Sequence, residues 1–291
     1  MKKNMVRAIS ENGGIVVCAI DSTEIVSEME RVHQTSAVVS AALGRLLTGA
    51  ALMGSWLKNE QDSLTLRVNG EGPAGTLLAV AEGDGSVRGY ATRPVVEGIP
   101  LRADGKLDVG AAVGTNGFLA VTRDLGLNEP YMGQVPLVSG EIAEDITSYY
   151  ATSEQTPTVC ALGVLVNEDL TIRKAGGFLL QLLPGATEEE ITALEKNIAA
   201  IPPITKLLED GGTVYDMVEL ALAGFNPNIL DESRVDYTCH CSRERVENIL
   251  VGLGRAEVEE MLQEKPTAVV ECHFCDKRYE MDLQDILSKM K

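Results

Sequence analysis

Four cysteines in the last 53 residues carry the strongest chemical signal in this 291-residue chain. Cys239-His240-Cys241 is followed by Cys272-His273-Phe274-Cys275. Four thiolates complete a tetrahedral shell for one zinc ion and leave no open position for a substrate. One-residue spacing lets an extended or bent strand turn both sulfurs to one side, and two-residue spacing suits a knuckle. Two such pairs among only six cysteines are not expected by chance. His240 and His273 could each stand in for a cysteine; with four thiolates available they are left outside the shell. Sulfur held by a metal is thiolate, the form that oxidants attack. Neighbouring cysteines can then close into disulfides, which do not hold zinc as thiolates do. A module this small has little core of its own, so losing the metal would unfold it.

Around the pairs, 243–254 and 256–263 read as short helices. Segments 269–274 and 277–281 read as a hairpin with the second pair at its turn. Upstream, the pattern changes at Pro184-Gly185. Thr187 followed by Glu188, Glu189 and Glu190 is a helix start with acids at the positive end of the dipole. Ile191, Leu194, Ile198 and Ile201 mark one apolar face until Pro202-Pro203; a short piece at 204–209 and a helix at 214–223 follow. Those apolar faces must dock on something. The chain before them reads as one α+β domain, its sheet mainly antiparallel. It has a Val- and Ile-rich strand at 5–20, a helix from Thr35 or Ser36 to Leu57, and a meander over 64–91. A strand at 117–122, a helix at 140–152 and strands at 158–166 and 171–183 complete it. The expected division is 1–183 as core domain, 184–232 as a helical linker docked on it, and 233–291 as a zinc-binding redox-switch domain.

Other residues carry less. Gly70-Glu71-Gly72-Pro73-Ala74-Gly75 matches the dinucleotide fingerprint, but a strand and the Asp84-Gly85 hairpin follow where a helix is needed, so it is a turn. Cys18 and Cys160 lie in apolar strands and read as small buried hydrophobes. His33 has no evident partner and reads as a surface or cap residue; Glu144 and Asp145 read as the solvated face of a helix. No catalytic residue is assigned.

Formal net charge is −18, with net −11 over 179–291 from 22 acids and 11 bases. Such a surface repels a phosphate backbone, and with aromatics at 4% base stacking is poorly served, so no nucleic-acid partner is expected. The Met1-Lys2-Lys3 start shows no secretory signal. The apolar stretch 38–57 holds Arg45 and several small or polar residues and reads as a buried helix, not a membrane span. A cytoplasmic protein is expected, where clustered cysteines mean metal or redox chemistry.

Beyond the two cysteine pairs, the chain carries Val87-Arg88-Gly89-Tyr90, Val138-Ser139-Gly140-Glu141-Ile142-Ala143-Glu144-Asp145, Ser153-Glu154-Gln155-Thr156-Pro157 and Ala175-Gly176-Gly177-Phe178. On these segments it resembles, over nearly its full length, the heat shock protein 33 family of redox-regulated molecular chaperones. The resemblance implies a holdase that needs no nucleotide and is not an enzyme. When reduced, Cys239, Cys241, Cys272 and Cys275 would hold one Zn2+ and the chaperone would be idle. Oxidation would join Cys239 with Cys241 and Cys272 with Cys275 and release the metal. The connector would then loosen and expose apolar surface to unfolding client proteins, the active form being a homodimer. Two other classes compete: a zinc-module adaptor or nucleic-acid-binding regulator, and a thiol–disulfide oxidoreductase using Cys272 and Cys275. The latter needs its pair at a helix start, not in a hairpin.

Overall fold

Val- and Ile-rich segments at the start of the chain favour strands, and the Gly13-Gly14 pair breaks them into a hairpin. In the computed structural model, which describes residues 3–290, β1 (Met5–Ile9) and β2 (Ile15–Asp21) pair antiparallel, with Gly13 at φ +76 in the turn. Met1 and Lys2, part of the chain start read above, lie outside the described residues. The strand expected over 5–20 is therefore two strands. Ile15, Val17 and Ala19 face one apolar cluster and Cys18 and Ile20 another, so β2 is buried on both sides. A helix not foreseen, α1 (Thr23–His33), follows, burying Ile25, Val26 and Met29 on one stripe. The long helix α2 (Ala37–Gly54) is apolar nearly all round, as a helix enclosed in a core must be. Among the described residues it is the one helix long and apolar enough to cross a membrane, and 83% of it is buried inside the protein.

The meander appears as β3 (Ser63–Asn69), β4 (Thr76–Glu82) and β5 (Ser86–Ala91). The glycine-rich run is the turn between β3 and β4. A Cβ on Gly72 would fall 2.3 Å from the Val113 carbonyl carbon, at the end of the short helix α3 (Val109–Val113). The glycines let two backbones touch; they do not cradle a phosphate. Then come β6 (Phe118–Asp124), the unforeseen β7 (Tyr131–Pro136), α4 (Ala143–Thr152), β8 (Thr158–Val166) and β9 (Ile172–Leu182). α2 packs on β3, β4 and β5 on one side and on β8 and β9 on the other.

Asp145 corrects an expectation. It is not on a solvated face but fully buried, while Glu144 is exposed. Its Oδ1 accepts from the amides of Val138 (2.7 Å), Ser139 (3.2 Å) and Gly140 (3.4 Å), and its Oδ2 from Ile142 (2.9 Å). A buried carboxylate persists when its lone pairs meet donors in this way.

After Pro184-Gly185, α5 (Glu188–Ala200), α6 (Ile204–Glu209) and α7 (Val214–Ala221) lie over the outer face of a sheet. Thr187 and Glu190 close the expected capping box: the Thr187 hydroxyl accepts from the Glu190 amide (3.3 Å), and the Glu190 carboxylate from the Thr187 amide (2.7 Å). Leu194, Ile204, Leu208, Val214, Met217 and Val218 meet Val6, Ala8, Ile15, Val17, Phe178 and Leu180 in one buried cluster. Two strands follow, β10 (Asn228–Ser233) and the two-residue β11 (Asp236–Tyr237). They finish sheets of order β10-β1-β2-β9-β8 and β11-β5-β4-β3-β6-β7. His33, expected on the surface, is tied in here: its Nε2 lies 3.1 Å from both the Gly89 carbonyl and the Tyr237 hydroxyl.

One compact unit ends at Thr238 and a second begins at Cys239. The second holds α8 (Arg243–Leu253), α9 (Arg255–Glu264), the hairpin β12 (Thr267–Glu271) and β13 (Arg278–Asp282), and an unforeseen α10 (Leu283–Lys289). Among its described residues the buried apolar side chains are Val246, Leu250, Val258, Met281, Leu283 and Ile286, a thin core for such a span.

Candidate metal centre

Each cysteine pair is aimed by its local fold. Cys272 and Cys275 flank the tip of the β12–β13 hairpin, where Glu271 pairs with Arg278 in the last rung. The Cys272 carbonyl accepts from the Cys275 amide (3.3 Å) and the Asp276 amide (2.8 Å), and the Cys272 amide donates to the Lys277 carbonyl (2.9 Å). Asp276 takes φ +56, turning the chain sharply behind the second sulfur. This is the knuckle that the two-residue spacing predicts. Cys239 and Cys241 enter on an extended segment that ends at Ser242, whose hydroxyl accepts from the Arg245 amide and caps α8. Arg243 donates to the Glu280 carbonyl (2.9 Å), tying the start of α8 to the hairpin, and Arg245 donates to the His240 carbonyl (3.2 Å), tying α8 to the first pair.

The four sulfurs converge. All lie within 4.8 Å of one another, with Cys239 Sγ 3.6 Å from Cys272 Sγ and Cys241 Sγ 3.3 Å from Cys275 Sγ. Zinc–sulfur bonds of about 2.3 Å in a tetrahedron set sulfurs about 3.8 Å apart, close to this cluster, whereas a disulfide needs about 2.05 Å. The donor set thus fits a divalent cation of the zinc type, and all four cysteines are free thiols. His240 and His273 are both exposed, and neither belongs to this cluster among the described residues.

One contact escaped the sequence reading. The Tyr279 hydroxyl lies 3.1 Å from Cys241 Sγ. Its only signal was an aromatic residue four positions past Cys275, on the strand that returns from the knuckle. As free thiols the cysteines differ. Burial pushes Cys239 up to about 11 and raises Cys275. At Cys241 burial also raises the thiol, but hydrogen bonds from Tyr279 and then from Cys275 and the other thiols outweigh it and bring it down to about 7. Cys18, buried in the core, and Cys160, half-buried against it and not enclosed as expected, stand apart: desolvation pushes them up to about 11 and about 12, so neither is a thiolate near neutrality.

Comparison with known proteins agrees with this geometry. Residues 3–282 match the family described as Hsp33 protein. The chain is 46% identical to the 33 kDa chaperonin of Clostridioides difficile (strain 630) over 100% of both sequences. It is 47% identical to that of Lachnoclostridium phytofermentans over 99% of each. Its fold matches the crystal structure of the 33 kDa chaperonin (heat shock protein 33 homologue) of Thermotoga maritima with a TM-score of 0.89 at 36% identity, covering 99% of this chain and 98% of that one. With an α+β fold, a convergent cysteine cluster and relatives alike from end to end, the chain belongs to the Hsp33 family of chaperones.

Proposed function

We propose that this chain is an ATP-independent holdase with three working parts: a core domain (1–183), a docked helical linker (184–232) and a cysteine switch (233–291). The observation that carries this reading is the convergence of four sulfurs within 4.8 Å on a module with so thin a core. In the reduced state Cys239, Cys241, Cys272 and Cys275 would hold one zinc ion. Zinc, when bound there, cross-links both arms of the module and keeps the sulfurs as thiolates, a contribution on the order of 10–16 kcal/mol in small structural sites.

Oxidation acts on the sulfurs. One thiolate attacks hydrogen peroxide and becomes a sulfenic acid; the neighbouring thiol then displaces water as the disulfide forms, two electrons having passed to the peroxide. The pairing we propose is Cys239–Cys241 and Cys272–Cys275. Physically, these bonds close very short loops and leave the two arms unlinked. Bonds between Cys239 and Cys272 or Cys241 and Cys275 would close long loops and staple the module shut. Only local pairing makes oxidation an unfolding event.

The linker supplies the output. In the docked state α5, α6 and α7 cover Val6, Ala8, Ile15, Val17, Phe178 and Leu180. Undocking bares a contiguous apolar face of the kind that binds other chains. Partly unfolded proteins are the proposed clients, the active form a homodimer, and the compartment the cytoplasm. The competing reading, a zinc-module adaptor or nucleic-acid-binding regulator, is opposed by the −18 charge. Light scattering from a heat-denatured client tests the proposal: peroxide-treated protein is expected to suppress aggregation and zinc-loaded reduced protein not to. Equal suppression by both forms would refute it.

A further inference from the structure

β10 is an exposed edge strand beside a deeply buried neighbour, β1. Its residues are mostly exposed, with Ile229 at 46% and Leu230 at 53%. The register slips between Arg7 and Ala8, so Leu230 is skipped in the pairing of Asp231 with Arg7 and Ile229 with Ala8. The strand pairs with β1 from Met5–Ser233 to Ile9–Asn228, and beyond that ladder its side-chain ties lie at its ends and on one helix. The Asn226 side chain donates to Glu11 (2.8 Å), Asn4 exchanges two side-chain bonds with the Val235 backbone (2.9 Å each), and the Tyr215 hydroxyl on α7 donates to Glu232 (2.6 Å). Beneath it, β1 is deeply buried at Met5, Val6 and Ala8. Its outward side continues into the apolar face of β2 that α7 covers.

From this we infer that β10 is a stand-in for client polypeptide: once it leaves, the edge of β1 captures an extended segment of an unfolded protein as an added antiparallel strand. The inference rests on the proposed linker release and deepens it by naming how a client is held. When α7 undocks, the Tyr215–Glu232 hold on β10 is lost with it. The bared edge offers a row of backbone donors and acceptors beside an apolar shelf, and such an edge pairs readily with another chain. Main-chain hydrogen bonds read no sequence, while alternate side chains of the added strand would lie beside Val6 and Ala8 on the apolar face. That combination fits an occupant that is extended, apolar at alternate positions and otherwise unspecified, which describes an unfolded polypeptide.

Hydrogen exchange on the oxidised full-length chain tests this, with carboxymethylated α-lactalbumin as a permanently unfolded probe. The β1 amides that face β10 are expected to exchange at least about tenfold faster after oxidation and to regain protection when the probe is added. A synthetic peptide of residues 226–235 should compete with the probe. Methylating its amides on the β1-facing side should weaken it about tenfold, the effect of losing a net hydrogen bond or two, and methylating the opposite side should not. Equal effects from the two methylation patterns would overturn the inference, as would β1 amides already protected in the oxidised protein alone, the sign of a second copy on that edge. Oxidised protein that binds the probe with no change at β1 overturns this inference alone. Oxidised protein that binds no probe at all overturns it together with the proposed function.

Discussion

If the docked linker is the gate, loosening it without touching a cysteine must switch the protein on. Met217 is the residue to perturb. It is fully buried on α7, in the cluster with Val6, Ile15, Val17 and Phe178. Met217→Ala removes three heavy side-chain atoms from a packed site, at about 2–5 kcal/mol by the range for such truncations. α7 spans eight residues, so the loss falls on a helix with few other anchors. At 1.4 kcal/mol per tenfold, the undocked population rises about thirtyfold to a few thousandfold. Two readouts are needed on reduced, zinc-loaded protein: hydrogen exchange of α5 to α7, and suppression of client aggregation followed by light scattering. The expected result is faster exchange and measurable holdase activity, with zinc content and thiol count unchanged. Faster exchange in a protein that stays idle would refute the reasoning, since the linker would then be open and the function still off.

Two further outcomes follow from named contacts. Thr187→Ala breaks the capping box of α5 and should cost about 1 kcal/mol, or about fivefold in local opening, seen as faster hydrogen exchange across α5. In protein stripped of metal by a chelator the small module should unfold, so that Cys239, Cys241, Cys272 and Cys275 are alkylated together. Cys18 and Cys160, raised to about 11 and about 12 by burial in the still-folded core domain, should stay unlabelled. Peptide mapping by mass spectrometry reads both.

Local chemistry made much of the molecule legible. The cysteine spacing led to the cluster, Thr187 with Glu190 to the start of α5, and clean alternation at Leu64, Leu66 and Val68 to β3. What stayed hidden depends on distant parts of the chain. β10 is exposed and poorly patterned, and it is a strand only because β1 offers an edge more than 200 residues away. β7 carries Gly133 and Pro136 and survives as an edge strand beside β6. α1 lacks a side-chain cap, so its start at Thr23 merges with the preceding strand. Asp145 looks like any surface acid of a helix until the four amides that surround it are in place. Tyr279 acquires meaning only when the knuckle brings it back to Cys241.

The central claim is that the metal and the reduced sulfurs stand or fall together. Zinc content measured alongside thiol titration, before and during mild peroxide treatment, tests it most directly. The account predicts one zinc per reduced chain, released in step with loss of the thiols of Cys239, Cys241, Cys272 and Cys275, and Cys18 and Cys160 left reduced. Zinc that remains bound after those four thiols are gone would contradict it.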